Sequence, residues 1–145
     1  MTSKLKVACE LLNEALVIYY RGDSYFASIH LAGGAEEILG AYISHNGGIP
    51  VFKDIRDAAV RLSKYIDDSG IESKPRDIGN LMNHAKNSAK HMDNLNDNLV
   101  TFDAKYEAEA MIERAISNYY LLQQNPIYEL KGSELISRFD ARLSE

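Results

Sequence analysis

The residue types best suited to acid–base and phosphate chemistry crowd into one stretch. Residues 75–94 read PRDIGNLMNHAKNSAKHMDN. Placed on a helix, Asn80, His84, Asn87 and His91 fall at i, i+4, i+7 and i+11 and share one polar stripe. Ile78, Leu81, Met82, Ala85, Ala89 and Met92 fall on an apolar stripe roughly opposite. His91 is of the residue type that can give or take a proton near neutral pH, which suits an acid or base. Asn87, one turn earlier, is placed to orient it, and Lys86 and Lys90 offer positive charge for a phosphate. The two histidines are separated by two turns, about 10.5 Å along the axis, too far to share one metal ion. The HExxH spacing of a helical zinc pair is absent. No metal and no cofactor is therefore expected. The plainer reading of the stripe is a solvated face with two incidental histidines.

A second polar stripe lies earlier, where His30, Gly33, Gly34 and Glu37 stand at i, i+3, i+4 and i+7. Two readings follow. Either the glycines permit close helix packing with His30 and Glu37 at its polar edges, or one of these two side chains reaches the His84/His91 stripe and sets a histidine's charge or tautomer. Other candidates carry less. Cys9, on an apolar face, reads as a small core residue. Asp54, Asp57, Asp67 and Asp68 lack the spacing of a calcium loop. No glycine-rich phosphate loop, GxSxG or Walker pattern is present.

The elements that must position these residues are helices. Leu5, Ala8, Leu12, Ala15, Ile18 and Tyr19 mark a first helix, ended by Arg21-Gly22-Asp23. A second, from about Ser24 to Ser44, is apolar nearly all round, with Phe26, Ile29, Leu31, Leu39 and Ile43 among its residues, and should be central. A third, from Pro50 to about Asp68, turns Ile55, Ala58, Ala59, Leu62, Tyr65 and Ile66 inward. A fourth runs from Pro75 to Met92, a fifth from Asp103 to Gln124, and a short last one starts at Ser133. No segment alternates as a strand does. The expectation is an all-α fold, a single antiparallel bundle of five to six helices spanning residues 1–145 as one domain.

Composition bounds the function. The chain has 145 residues, a formal charge of −5, and 46% hydrophobic against 26% charged residues, as a folded domain with its own core requires. The acidic balance argues against broad DNA binding while leaving room for a local basic site. No apolar run is long enough to span a membrane. Glu10 and Glu14 interrupt what would be a signal peptide's apolar stretch, so a cytoplasmic location is expected. An all-round apolar helix, a glycine pair and exposed tyrosines predict self-association, with a homodimer the simplest outcome.

The segment Lys86–His91 resembles the signature of HEPN domains, helical nucleotide-binding or RNA-cleaving modules. That signature is an arginine, a polar residue that is often Asn, then after a few residues a histidine, on one helix of a four- or five-helix bundle. Lys86 stands where the arginine would be, and Asn87 and His91 match the other positions. An earlier register, Gly79 to His84, lacks a cation. More of the chain, about residues 5–124, is similar to an uncharacterised bacterial family of small helical proteins, through Ile29–Leu39, Asn87–His91 and Glu107–Ile112 onward to Tyr119. The His91-to-Phe102 spacing favours the second register.

For the RNA-cleaving HEPN proteins the resemblance implies an arginine on the scissile phosphate and a histidine assisting transfer, usually at a dimer interface. Lysine keeps the charge and loses the planar two-point fork, so binding should survive the exchange better than cleavage. The function expected is a HEPN-like binding or regulatory protein that engages RNA, a nucleotide or a partner protein. Its ligand-binding residues would be Lys86, Lys90, His84, Glu37 and His30. One alternative is a metal-independent ribonuclease using His91 and Asn87 with Lys86 on the phosphate. Another is a structural or protein-interaction bundle with no small-molecule site.

Overall fold

A computed structural model describes residues 1–144. Helix α1 (Lys4–Arg21) starts where the Ser3 hydroxyl accepts the Lys6 N–H, and stops at Gly22, whose φ of 81° only glycine adopts freely. Helix α2 spans Tyr25–His45, α3 Val51–Ile66, α4 Pro75–Met82, α5 His84–Ser88, α6 Ala104–Gln123 and α7 Glu134–Ala141, followed by a 3-10 turn, Arg142–Ser144. Asp103 caps α6 by accepting the Tyr106 N–H, and Ser133 caps α7 through the Leu135 N–H. Among the described residues no strand occurs, and the fold is all-α. No helix is long and apolar enough to cross a membrane.

The core is built by α1, α2 and α6, with α7 closing one side. Ala8, Leu12, Ala15 and Leu16 meet Ile29, Ala32, Ala35 and Leu39 of α2, and Ala108, Ile112 and Ala115 complete the packing from α6. The alanine rows let the backbones approach closely, and Leu12, Leu16, Ile112 and Phe139 fill what remains. Ser28, fully buried at the α1–α2 contact, donates its hydroxyl to the Ala15 carbonyl at 2.8 Å.

Two expectations need correction. The fourth helix, expected unbroken from Pro75 to Met92, divides at Asn83 into α4 and α5 and ends at Ser88. Arg114 of α6 reaches into that division: its guanidinium donates to the Met82 carbonyl at 3.2 Å and to Asn83 Oδ1 at 2.9 Å. A side chain inserted among backbone carbonyls is a recognised cause of helix breaks. On both sides of the break the apolar stripe is only partly used: Ala85 is buried, whereas Leu81, Ala89 and Met92 are exposed.

Helix α3 is the second departure. Its aliphatic stripe does not turn inward: Ile55, Leu62, Tyr65 and Ile66 are 45%, 58%, 78% and 84% exposed. The edge that packs is Phe52, Arg56, Val60 and Ser63, roughly 100° round the helix from the stripe. Polar and aromatic anchors set this rotation. Asn118 of α6, fully buried, accepts the Val51 N–H on Oδ1 at 3.0 Å and donates Nδ2 to the Glu36 carbonyl at 3.2 Å. Two guanidiniums approach the Phe52 ring, Arg114 at 4.8 Å and Arg56 at 5.9 Å from its centroid.

Candidate functional site

The polar stripe foreseen in residues 80–91 survives the helix break. Asn80 from α4, His84, Asn87 and Ser88 from α5, and His91, Asp93 and Asp97 from the following turns line one open cavity of about 440 Å³. It holds together because the helical spacing continues past α5: the His91 N–H donates to the Asn87 carbonyl at 3.0 Å. The far rim is closed by the Asp93 N–H on Asp97 Oδ2 at 3.1 Å. On the other side the His84 ring meets the Phe102 ring edge-on at 6.3 Å, and Phe102 in turn meets Phe26 at 6.0 Å.

The lysines are elsewhere. Lys86 is buried, and its ammonium donates to Glu37 Oε1 at 2.5 Å. Its stem crosses α2 at Gly33, where a Cβ would lie 2.7 Å from Lys86 Cδ. Gly34 makes room for Leu11. The Lys86 ammonium holds the Glu37 carboxyl below the usual carboxylate range against the opposing effect of partial burial, with smaller help from Lys90 and Arg114. The structure thus forms two groups. Asn80, His84, Asn87 and His91 share the cavity, while Glu37, Lys86 and the exposed Lys90 form a charged cluster beside it. His30 is exposed on α2 and contributes to neither. Of the two readings of the α2 stripe, close packing at the glycines is what occurs. Glu37 meets Lys86 and not a histidine.

This separation decides what the cavity can do. Its walls offer imidazole, amide and hydroxyl groups together with two carboxylates, and no lysine or arginine. Asp93 and Asp97 repel a phosphate and favour hydrogen-bond donors such as hydroxyls or amines. Among the described residues, no three histidine, cysteine or acidic side chains are grouped to hold a metal ion. Cys9 is buried, which pushes its thiol pKa up and leaves it a poor nucleophile.

One polar group was not anticipated from the sequence. Arg114 and Glu36, each buried, pair at 3.0 Å between α6 and α2, and Arg114 also grips Met82 and Asn83. The signal lay in α2, where Glu36 interrupts a face otherwise formed by Ala32, Gly33, Leu39 and Gly40. No protein-family model matches the chain, and neither a curated protein nor a solved structure matches it.

Proposed function

We propose that this chain is a non-catalytic, HEPN-like helical binding protein of the cytoplasm whose ligand is another protein. The observation that carries this reading is the position of Lys86. In the signature it resembles, that residue must face the same phosphate as His91. Here its ammonium is spent on Glu37 and its stem is packed on Gly33. His91 is left with amides and carboxylates, which do not neutralise a phosphodiester. The exposed aliphatic stripe of α3 supports a protein ligand, since surface of that kind is costly unless something covers it.

The test is incubation of the wild type with single-stranded RNA in the presence of chelator. No cleavage is expected, and Lys86→Ala should lower thermal stability without changing RNA binding. Chelator-resistant cleavage that disappears in His91→Ala would overturn the proposal in favour of the ribonuclease. A second reading, a nucleotide or RNA end in the cavity, is favoured by the Phe102 edge and the paired amides beside His84 and His91. It requires binding through hydroxyls and base edges, hence binding that changes little with salt.

A further inference from the structure

Along helix α3, Val51, Ile55, Ala58, Leu62 and Tyr65 stand at alternating steps of four and three, four aliphatic side chains and one aromatic. That is the seam of a two-helix coiled coil. The outer edge of the seam faces away from the chain's own core: Ile55, Leu62 and Tyr65 are exposed, and Val51 and Ala58 are half-buried. An open groove of about 440 Å³ runs along one side of it, walled by Ile55, Leu81 and Tyr106.

The other flank carries the information about what covers it. Asp54 and Arg61, seven residues and two turns apart, are both exposed on that flank. Among the described residues neither side chain forms an ion pair or hydrogen bond, although Arg56 pairs with Asp57 on the same helix and Lys64 with Glu72 in the loop that follows it.

Opposite charges at this spacing are self-complementary when two copies of α3 lie antiparallel. With Val51 opposite Leu62 of the second copy and Ile55 opposite its Ala58, Asp54 falls opposite Arg61 of the second copy, and the symmetry repeats the pair. Shifting the register by one heptad sets Arg61 against itself and Asp54 against Asp68. A parallel arrangement puts Asp54 beside apolar residues. The charges therefore choose one orientation and one register.

Resting on the protein-ligand reading above, we infer that the occupant of the α3 seam is α3 of a second copy of this chain, antiparallel, with reciprocal Asp54–Arg61 pairs. The contact is one helix of about 24 Å. Leu81 and Tyr106 on the groove side and the exposed Ile49 beyond the helix start extend it. An interface of this size, smaller than the standard ~800 Å² per partner, gives a dimer that forms at micromolar concentration.

Sedimentation equilibrium of the full chain across the micromolar range tests this. Wild type should dimerise. Arg61→Asp or Asp54→Arg alone should raise the dissociation constant by about tenfold or more, because each places like charges at both ends of the seam. The double variant Asp54→Arg with Arg61→Asp should return it close to wild type. Both side chains are exposed in the single chain, so the variants keep its fold, which circular dichroism verifies. A wild type that stays monomeric overturns the inference, as does a dimer indifferent to the single reversals or a double reversal that restores nothing. None of these outcomes produces RNA cleavage, so failure here is distinct from failure of the non-catalytic reading.

Discussion

The α1–α2–α6 block and the α3–α4–α5 limb are both helical, yet they are held by different forces. In the block, side chains such as Leu12, Leu16, Ile29 and Ile112 are almost wholly removed from water. In the limb, Val60, Gly79, Ala85 and Lys86 are the buried residues, and the aliphatic stripe of α3 lies outside. What fastens the limb is a handful of polar contacts: Asn118 on Val51, Arg114 on Met82 and Asn83, and Glu37 on Lys86. The block is fixed by area, the limb by position. A region fixed by a few directional contacts keeps its remaining surface for other molecules.

Removing the block contact that positions Arg114 for its grip on the limb should have the largest effect. Glu36→Ala leaves the Arg114 guanidinium buried without its counter-ion, at a cost of about 3–5 kcal/mol. Urea denaturation should show the lower midpoint, and hydrogen exchange should show residues 75–88 losing protection first. Loss confined to α2 and α6 would break the distinction between the two regions.

The same truncation made in each region sharpens it. Ile112→Ala in the block should cost about 2–5 kcal/mol, whereas Ile66→Ala at the exposed end of α3 should stay within about 0.5 kcal/mol. Equal effects in denaturation of dilute protein would mean that the limb is packed as the block is.

The smallest effect is electrostatic. The folded-state pKa of Glu37 is depressed by Lys86, so its contribution is present above the ordinary carboxylate pKa and is lost as pH falls through the depressed value. Glu37 is half exposed, and solvent screening keeps the contribution to about 1 kcal/mol or less. Melting curves should show Glu37→Gln less stable than wild type at neutral pH, with the gap closing in acid. A gap independent of pH would assign the role of Glu37 to packing.

The block was legible in the sequence because helical period and burial coincide there. Leu12, Ala15, Ile29, Leu39, Ile112 and Tyr119 all lie where their spacing puts them. The caps at Asp103 and Ser133 and the stop at Gly22 were legible too, since each depends on one residue's local chemistry. The rotation of α3 was not. Periodicity finds the apolar face of a helix but not what lies beside it, and here a buried Asn118 and the ring of Phe52 outweigh three aliphatic side chains and a tyrosine. Asn80, His84, Asn87 and His91, grouped by helical spacing alone, line one cavity. The place of Lys86 was not, because Gly33 opens a channel for its stem that no spacing within residues 75–94 reveals.

Asn118 also sets an order of events on the ribosome. It grips the first N–H of α3 from 67 residues further along the chain. While α3, α4 and α5 emerge from the exit tunnel, neither Asn118 nor Arg114 has yet emerged, so the start of α3 and the carbonyl of Met82 lack the partners that fix them. Helices α1 and α2 can already pair through Ser28 and Ala15. The middle of the chain must therefore wait for α6, although it is made before it.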